Sequence, residues 1–238
     1  MSRNRDMYVA ILFMVFVTSF PFYLFIGDLI LIKVLQILAN FILSVLLFFY
    51  VKFPDVVRRE YHRTNFKVLP YFIPAALACF SNFFVLIFTP HFFVHNFNIY
   101  LDILLTIVVV FNEEIIFRFL MQNSFEYYSP LRRIVTTSLI FAAFHIISFI
   151  STLDPFELLR VIYAFGLAMI LGLIYEYSRN ILAPIIFHFA FNFFNQVIFN
   201  CIAIFLNPIY YIVVNMAVAL VILIYLAIIY KVKLSKLD

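Results

Sequence analysis

Apolar runs follow one another down nearly the whole chain, each about twenty residues long and so able to cross roughly 30 Å of hydrocarbon as a helix. We read eight of them. They cover Met7 to Ile26, Leu29 to Val51, Val68 to Phe88, Ile99 to Met121, Ile134 to Ile150, Leu158 to Tyr177, Ile181 to Phe205 and Ile209 to Tyr230. Only 12% of the residues are charged, where soluble domains carry about twice that share. The pattern predicts an all-α, polytopic integral membrane protein. No internal repeat or linker divides it, so residues 1–238 are expected to form a single membrane domain. The first run is too long for a cleavable signal peptide and lacks a small-residue cleavage site after it.

The loops fix an orientation. Arg3 and Arg5 precede the first run, and Lys52, Arg58, Arg59, Arg63 and Lys67 fill the loop after the second. Arg132 and Arg133 follow the fourth, Arg179 the sixth, and Lys231, Lys233 and Lys236 the eighth. The intervening loops Thr89–Asn98, Ser151–Glu157 and Asn207–Pro208 hold no Lys or Arg. Alternation of this kind predicts both termini on the cytoplasmic side of a cell membrane. Richness in Phe, Ile, Asn and Tyr fits an AT-rich bacterial genome, and hence a bacterial plasma membrane.

Against this apolar background the stretch Phe111 to Gln122, FNEEIIFRFLMQ, stands out. A charge at bilayer depth costs at least ~2.5–3.5 kcal/mol and is read as functional or paired. Glu114 and Arg118 are four apart and lie on one helix face, where each can neutralise the other. Glu113 points about 100° away and is less well served by that pair. A carboxylate without a cation in an apolar setting suits a group that must take and return a proton. A plain ion-pair staple between helices is the competing reading. It needs one glutamate, and the chain has two.

Two further embedded places are polar. The fifth run carries Phe141 and His145 in FAAFH, and the seventh carries His188 and Asn192, four apart, in HFAFN. Lipid offers these groups no partner, so the least costly arrangement gathers them in one pocket between helices 4, 5 and 7. At 1.5 Å per residue, His145 lies ~16 Å, Glu113 ~12 Å, and His188 and Asn192 ~10–16 Å from the cytoplasmic ends of their helices. A glutamate that takes a proton from water, a histidine that holds that water, and a histidine–asparagine pair that donates to an oxyanion together suit amide hydrolysis.

The motifs Glu113-Glu114-x-x-x-Arg118, Phe141-x-x-x-His145 and His188-x-x-x-Asn192 resemble those of the CAAX-protease and bacteriocin-processing family, also called Abi. The segment GLIYEYSRNILAPIIFHFAFN, Gly172 to Asn192, resembles the family's connection into the third motif. The likeness spans about Asn112 to Asn195, with a protease core at about 99–205. It implies an intramembrane endopeptidase open toward the cytoplasm. Glu113 and His145 would activate water, His188 and Asn192 would form the oxyanion site, Glu114 and Arg118 would support it, and Phe141 would pack beneath. The partners implied are the bilayer and a hydrophobic peptide or membrane-protein substrate. No cofactor is required by the preferred mechanism, which lacks an HExxH motif; a zinc site, if present, would use Glu113, His145 and His188.

Other readings are weaker. A self-immunity or regulatory protein that acts by binding leaves the full motif set unexplained. A transporter would favour helix-breaking pairs in mid-span, and Pro184 near a helix start is not one. The basic loop Lys52–Lys67 reads as an orientation signal lying on headgroups, with a binding site for a substrate tail or for anionic lipid as the alternative. His91 and His95 have metal-like spacing without an acidic partner, and Cys79 and Cys201 read as small core residues. With 3 glycines in the chain, GxxxG-type helix contacts are not expected. A net charge of +4 gives no reason to expect nucleic acid.

Overall fold

The computed structural model describes residues 26–61, 69–88, 92–94, 99–152, 155–199, 202–204 and 208–234. The first expected span, His91, His95 and Cys201 therefore lie outside the described residues, apart from Ile26. The chain is a helical membrane protein. In order, the helices are α1 (Leu29–Tyr50), α2 (Phe53–Tyr61), α3 (Leu69–Cys79), α4 (Ile99–Glu114), α5 (Pro130–Thr152), α6 (Pro155–Ser178), α7 (Leu182–Asn192) and α8 (Pro208–Leu234). A 3₁₀ stretch, Ser81–Phe88, follows α3, and π-helical stretches continue α4 (Ile115–Gln122) and α7 (Phe193–Ile198). Two short strands, β1 (Phe92–Val94) and β2 (Ile202–Ile204), pair antiparallel with Phe93 opposite Ala203.

Local chemistry sets the ends. The Asp28 carboxylate accepts from the Ile30 and Leu31 amides at 2.8 and 3.2 Å and caps α1. Pro130 and Pro155 open α5 and α6, where a missing N–H costs nothing. Lys52 and Arg179 follow α1 and α6 in the left-handed conformation, at φ 53° and 54°, the backbone state that commonly stops a helix.

Among the described residues, Leu29–Tyr50 and Arg160–Ser178 are long and apolar enough to cross a membrane. Pro70–Cys79 and Ser81–Ile87, bent by 54°, make a third if counted as one span. The outward faces fit lipid contact: Leu29, Phe49, Met216 and Leu223 are each more than half exposed. The expected fourth and seventh spans are each divided by a change from α to π winding. The expected seventh span also ends early, because 202–204 is a strand rather than the end of a helix reaching Phe205. The basic loop, too, contains structure: α2 buries Val56 and Glu60 and leaves Arg58 and Arg59 exposed.

The core forms around the π stretch after α4, all eight residues of which are buried. Ile115, Phe117 and Met121 pack with Phe141 of α5, Ala164, Ala168 and Tyr175 of α6, and Ile181. The α5–α6 pair is tight. A Cβ at Gly172 would lie 2.9 Å from Ile134 Cγ2, closer than side chains tolerate, so a single glycine sets this approach without a GxxxG motif. Asn112 locks α4 to α1 by donating to the Asn40 carbonyl at 3.0 Å and accepting from Ser44 Oγ at 2.8 Å. Asn195 closes the break after α3. Its amide donates to the Ala78 and Cys79 carbonyls, both at 2.9 Å, and its Oδ1 accepts from the Asn82 amide at 3.0 Å.

Candidate active site

Glu113, Phe141, His145, His188 and Asn192 all line one cavity of about 170 Å³. The last turn of α4 brings Glu113, mid-α5 brings Phe141 and His145, and the second and third turns of α7 bring His188 and Asn192. Winding changes from α to π immediately after Glu114 and again immediately after Asn192. A π turn widens the helix and changes the direction of the side chains beyond it, a feature frequent at functional sites. After Glu114 it carries eight buried residues through the core, and after Asn192 it buries Asn195 and Val197 while Gln196 stays exposed.

Behind the cavity wall, Arg118 Nε donates to Glu114 Oε2 at 3.0 Å, with both side chains fully buried. The expected pair is therefore present. Glu114 has a second partner that spacing alone does not reveal: its Oε1 lies 2.8 Å from His188 Nδ1. A carboxylate accepts, so Nδ1 carries the proton and His188 Nε2 is turned toward Glu113, whose Oε2 lies 3.6 Å away. Glu113, with its side chain 13% exposed, is the carboxylate that faces the cavity.

His145 is oriented by its own helix. Its Nδ1 donates to the Phe141 carbonyl at 3.1 Å, which points Nε2 away from the backbone. The Phe141 ring separates the two histidines, with centroids 4.9 Å from His145 and 6.0 Å from His188, and it also receives Arg118 at 5.6 Å. Asn192 Oδ1 accepts from Gln196 Nε2 at 3.1 Å. With the carbonyl so engaged, the amide N–H groups of Asn192 become its donors toward the cavity.

Sequence reasoning omitted Arg160, Tyr163 and Gln196, which line the same cavity with Val109, Ala164, Leu167 and Phe191. Gln196 had a signal: it extends the stripe His188, Asn192 by one more interval of four. Arg160 had one too, as a lone cation in the sixth apolar run. Tyr163 had none. Among the described residues, no three His, Cys, Asp or Glu side chains converge closely enough to hold a metal ion. Glu113, His145 and His188 share the cavity without forming such a trio.

The family model described as type II CAAX prenyl endopeptidase Rce1-like matches residues 95–194, a segment that contains every motif residue named above. No curated protein and no solved structure matches the chain.

Proposed function

From the premise that this chain carries, at residues 95–194, an Rce1-like type II CAAX prenyl endopeptidase domain, we propose that it is an intramembrane endopeptidase. The substrate is a hydrophobic peptide or the segment of a membrane protein. Glu113 takes a proton from the attacking water, held also by His145, and returns it to the leaving amine. His188 and Asn192 donate to the oxyanion. Since Nδ1 of His188 is committed to Glu114, donation from Nε2 requires the imidazolium form. Glu113, with Oε2 3.6 Å from Nε2, is the carboxylate that such an imidazolium would face.

The observation that carries this reading is the sharing of one cavity by Glu113, His145, His188 and Asn192. The preferred mechanism uses no metal; a zinc ion would instead be held by Glu113, His145 and His188, the last with its Nε2 left free by the bond from Nδ1 to Glu114. We place the domain in an eight-span bundle of a bacterial plasma membrane with both termini cytoplasmic. Cysteines introduced in Thr89–Asn98 should then label from outside, and those in Lys52–Lys67 only after permeabilisation. The reverse pattern would exclude this orientation.

The test of the chemistry uses purified protein in nanodiscs with a library of short hydrophobic peptides. Cleavage should survive prolonged EDTA treatment and vanish in Glu113→Gln. Asn192→Ala should lose ~100–1000-fold in rate, the usual cost of one oxyanion donor. Activity that disappears with EDTA and returns with zinc would overturn the mechanism.

A further inference from the structure

The helix that presents His188 and Asn192 is held from far away in sequence. The first turn of α7 has a local cap, since Asn180 Oδ1 accepts from the Leu182 amide at 3.0 Å. The amide just before it, that of Ile181, donates instead to Glu60 Oε2 at 2.7 Å. Glu60 belongs to α2, and 121 residues separate donor and acceptor. The other oxygen of Glu60 accepts from Tyr175 Oη at 3.2 Å, and that hydroxyl accepts from Asn123 Nδ2 at 2.9 Å. One carboxylate thus joins α2, α6, the segment after α4 and the start of α7.

Spacing shows what this join can do. Ile181 and His188 are seven residues apart, nearly two full turns, so they share a face about 10 Å apart along the axis. Asn192 lies one turn beyond His188 on that face, and Asn195 follows in the π stretch; Ile181, His188, Asn192 and Asn195 are all buried. Asn195 clamps the far end to the break after α3. The helix bearing the site is therefore held at its start by Glu60 and, through the π stretch that continues it, at its end by Asn195.

We propose that Glu60 is a positioning residue: by tying the start of α7 to α2 and α6, it sets where His188 meets Glu113 and Glu114. Arg58 and Arg59, on the exposed side of α2, leave the buried side to Val56 and Glu60, so the amphipathic helix acts as the bracket that carries the tie. The proposal rests on α7 presenting the active site, but its test needs no turnover.

The test uses the full chain in nanodiscs with ¹⁵N-histidine labelling, the His188 resonances being assigned by their loss in His188→Gln. Wild-type protein should show Nδ1 of His188 protonated and hydrogen bonded. Glu60→Gln retains a carbonyl acceptor for Ile181 and should keep that signature. Glu60→Leu should shift or broaden it and speed amide exchange over 181–185 by about tenfold, the scale of one lost cap. If Glu60→Leu does not fold, Glu60→Asp, one bond too short, should give an intermediate shift. A Glu60→Leu or Glu60→Asp protein that melts earlier yet keeps the wild-type His188 signature and exchange would overturn the proposal. Absence of peptide cleavage by wild-type protein would instead sink the peptidase reading and leave this tie untouched.

Discussion

Two buried acids in this molecule lie in contrasting company. Glu176 of α6, its side chain 4% exposed, is saturated. Its Oε1 takes Arg133 at 2.6 Å and Arg179 at 2.8 Å, and its Oε2 takes Gln122 Nε2 at 3.1 Å. Glu113 faces a cavity, and its ion-pair contact among the described residues is one histidine nitrogen at 3.6 Å. The first arrangement is a staple between helices. The second is a carboxylate that faces open space, as the proposed proton acceptor must. Glu114 stands between them, paired like Glu176 but passing its effect through His188 to the cavity. The difference teaches that embedded charge alone does not mark a reactive site; the number of donors already committed to it does.

A stability series would sharpen or break this contrast. The largest loss should come from Glu114→Leu, which strands a fully buried guanidinium and frees His188. Breaking such a pair costs ~3–5 kcal/mol, and this one has two partners. Glu176→Gln should cost less, about 1–3 kcal/mol, because the amide can still accept and Arg179 is half exposed. Glu113→Gln should change stability by less than about 1 kcal/mol, since it leaves no donor stranded and removes a carboxylate from an apolar setting. Urea unfolding in mild detergent would rank the three. Equal losses at Glu113 and Glu176 would make Glu113 a staple as well.

The smallest effect concerns pH and lies outside the spans, at Glu60. Burial pushes the Glu60 carboxyl up from its ordinary value near 4.5, against the opposing pull of the Ile181 amide, the Tyr175 hydroxyl, Arg59 and Arg179. The folded state thus holds this proton more tightly than the unfolded chain. Its stabilising contribution is complete below the unfolded value and is lost as pH rises through the folded one. Wild-type protein should therefore lose thermal stability relative to Glu60→Gln as pH climbs from about 4.5, and the gap should then level off. A gap that widens in favour of wild type with rising pH would show that the hydrogen bonds outweigh burial.

Much was legible in the sequence. Apolar length and low charge determined a helical membrane protein, because a backbone in lipid must satisfy itself. Spacing of four determined the Glu114–Arg118 pair and placed His188 and Asn192 on one face, since helical periodicity is a property of the local chain. What spacing cannot carry is contact between elements far apart in sequence. The bond from Glu114 to His188 spans 74 residues and makes a supposed supporting acid the partner of a site histidine. The tie from Glu60 to Ile181 and the clamp of Asn195 on the break after α3 are of the same kind. So are the changes to π winding after Glu114 and Asn192, set by how those residues pack rather than by their own preferences. The residues determined which chemistry is present; tertiary packing decided which carboxylate meets the cavity, because only there do donors from distant helices saturate one acid and leave the other facing open space.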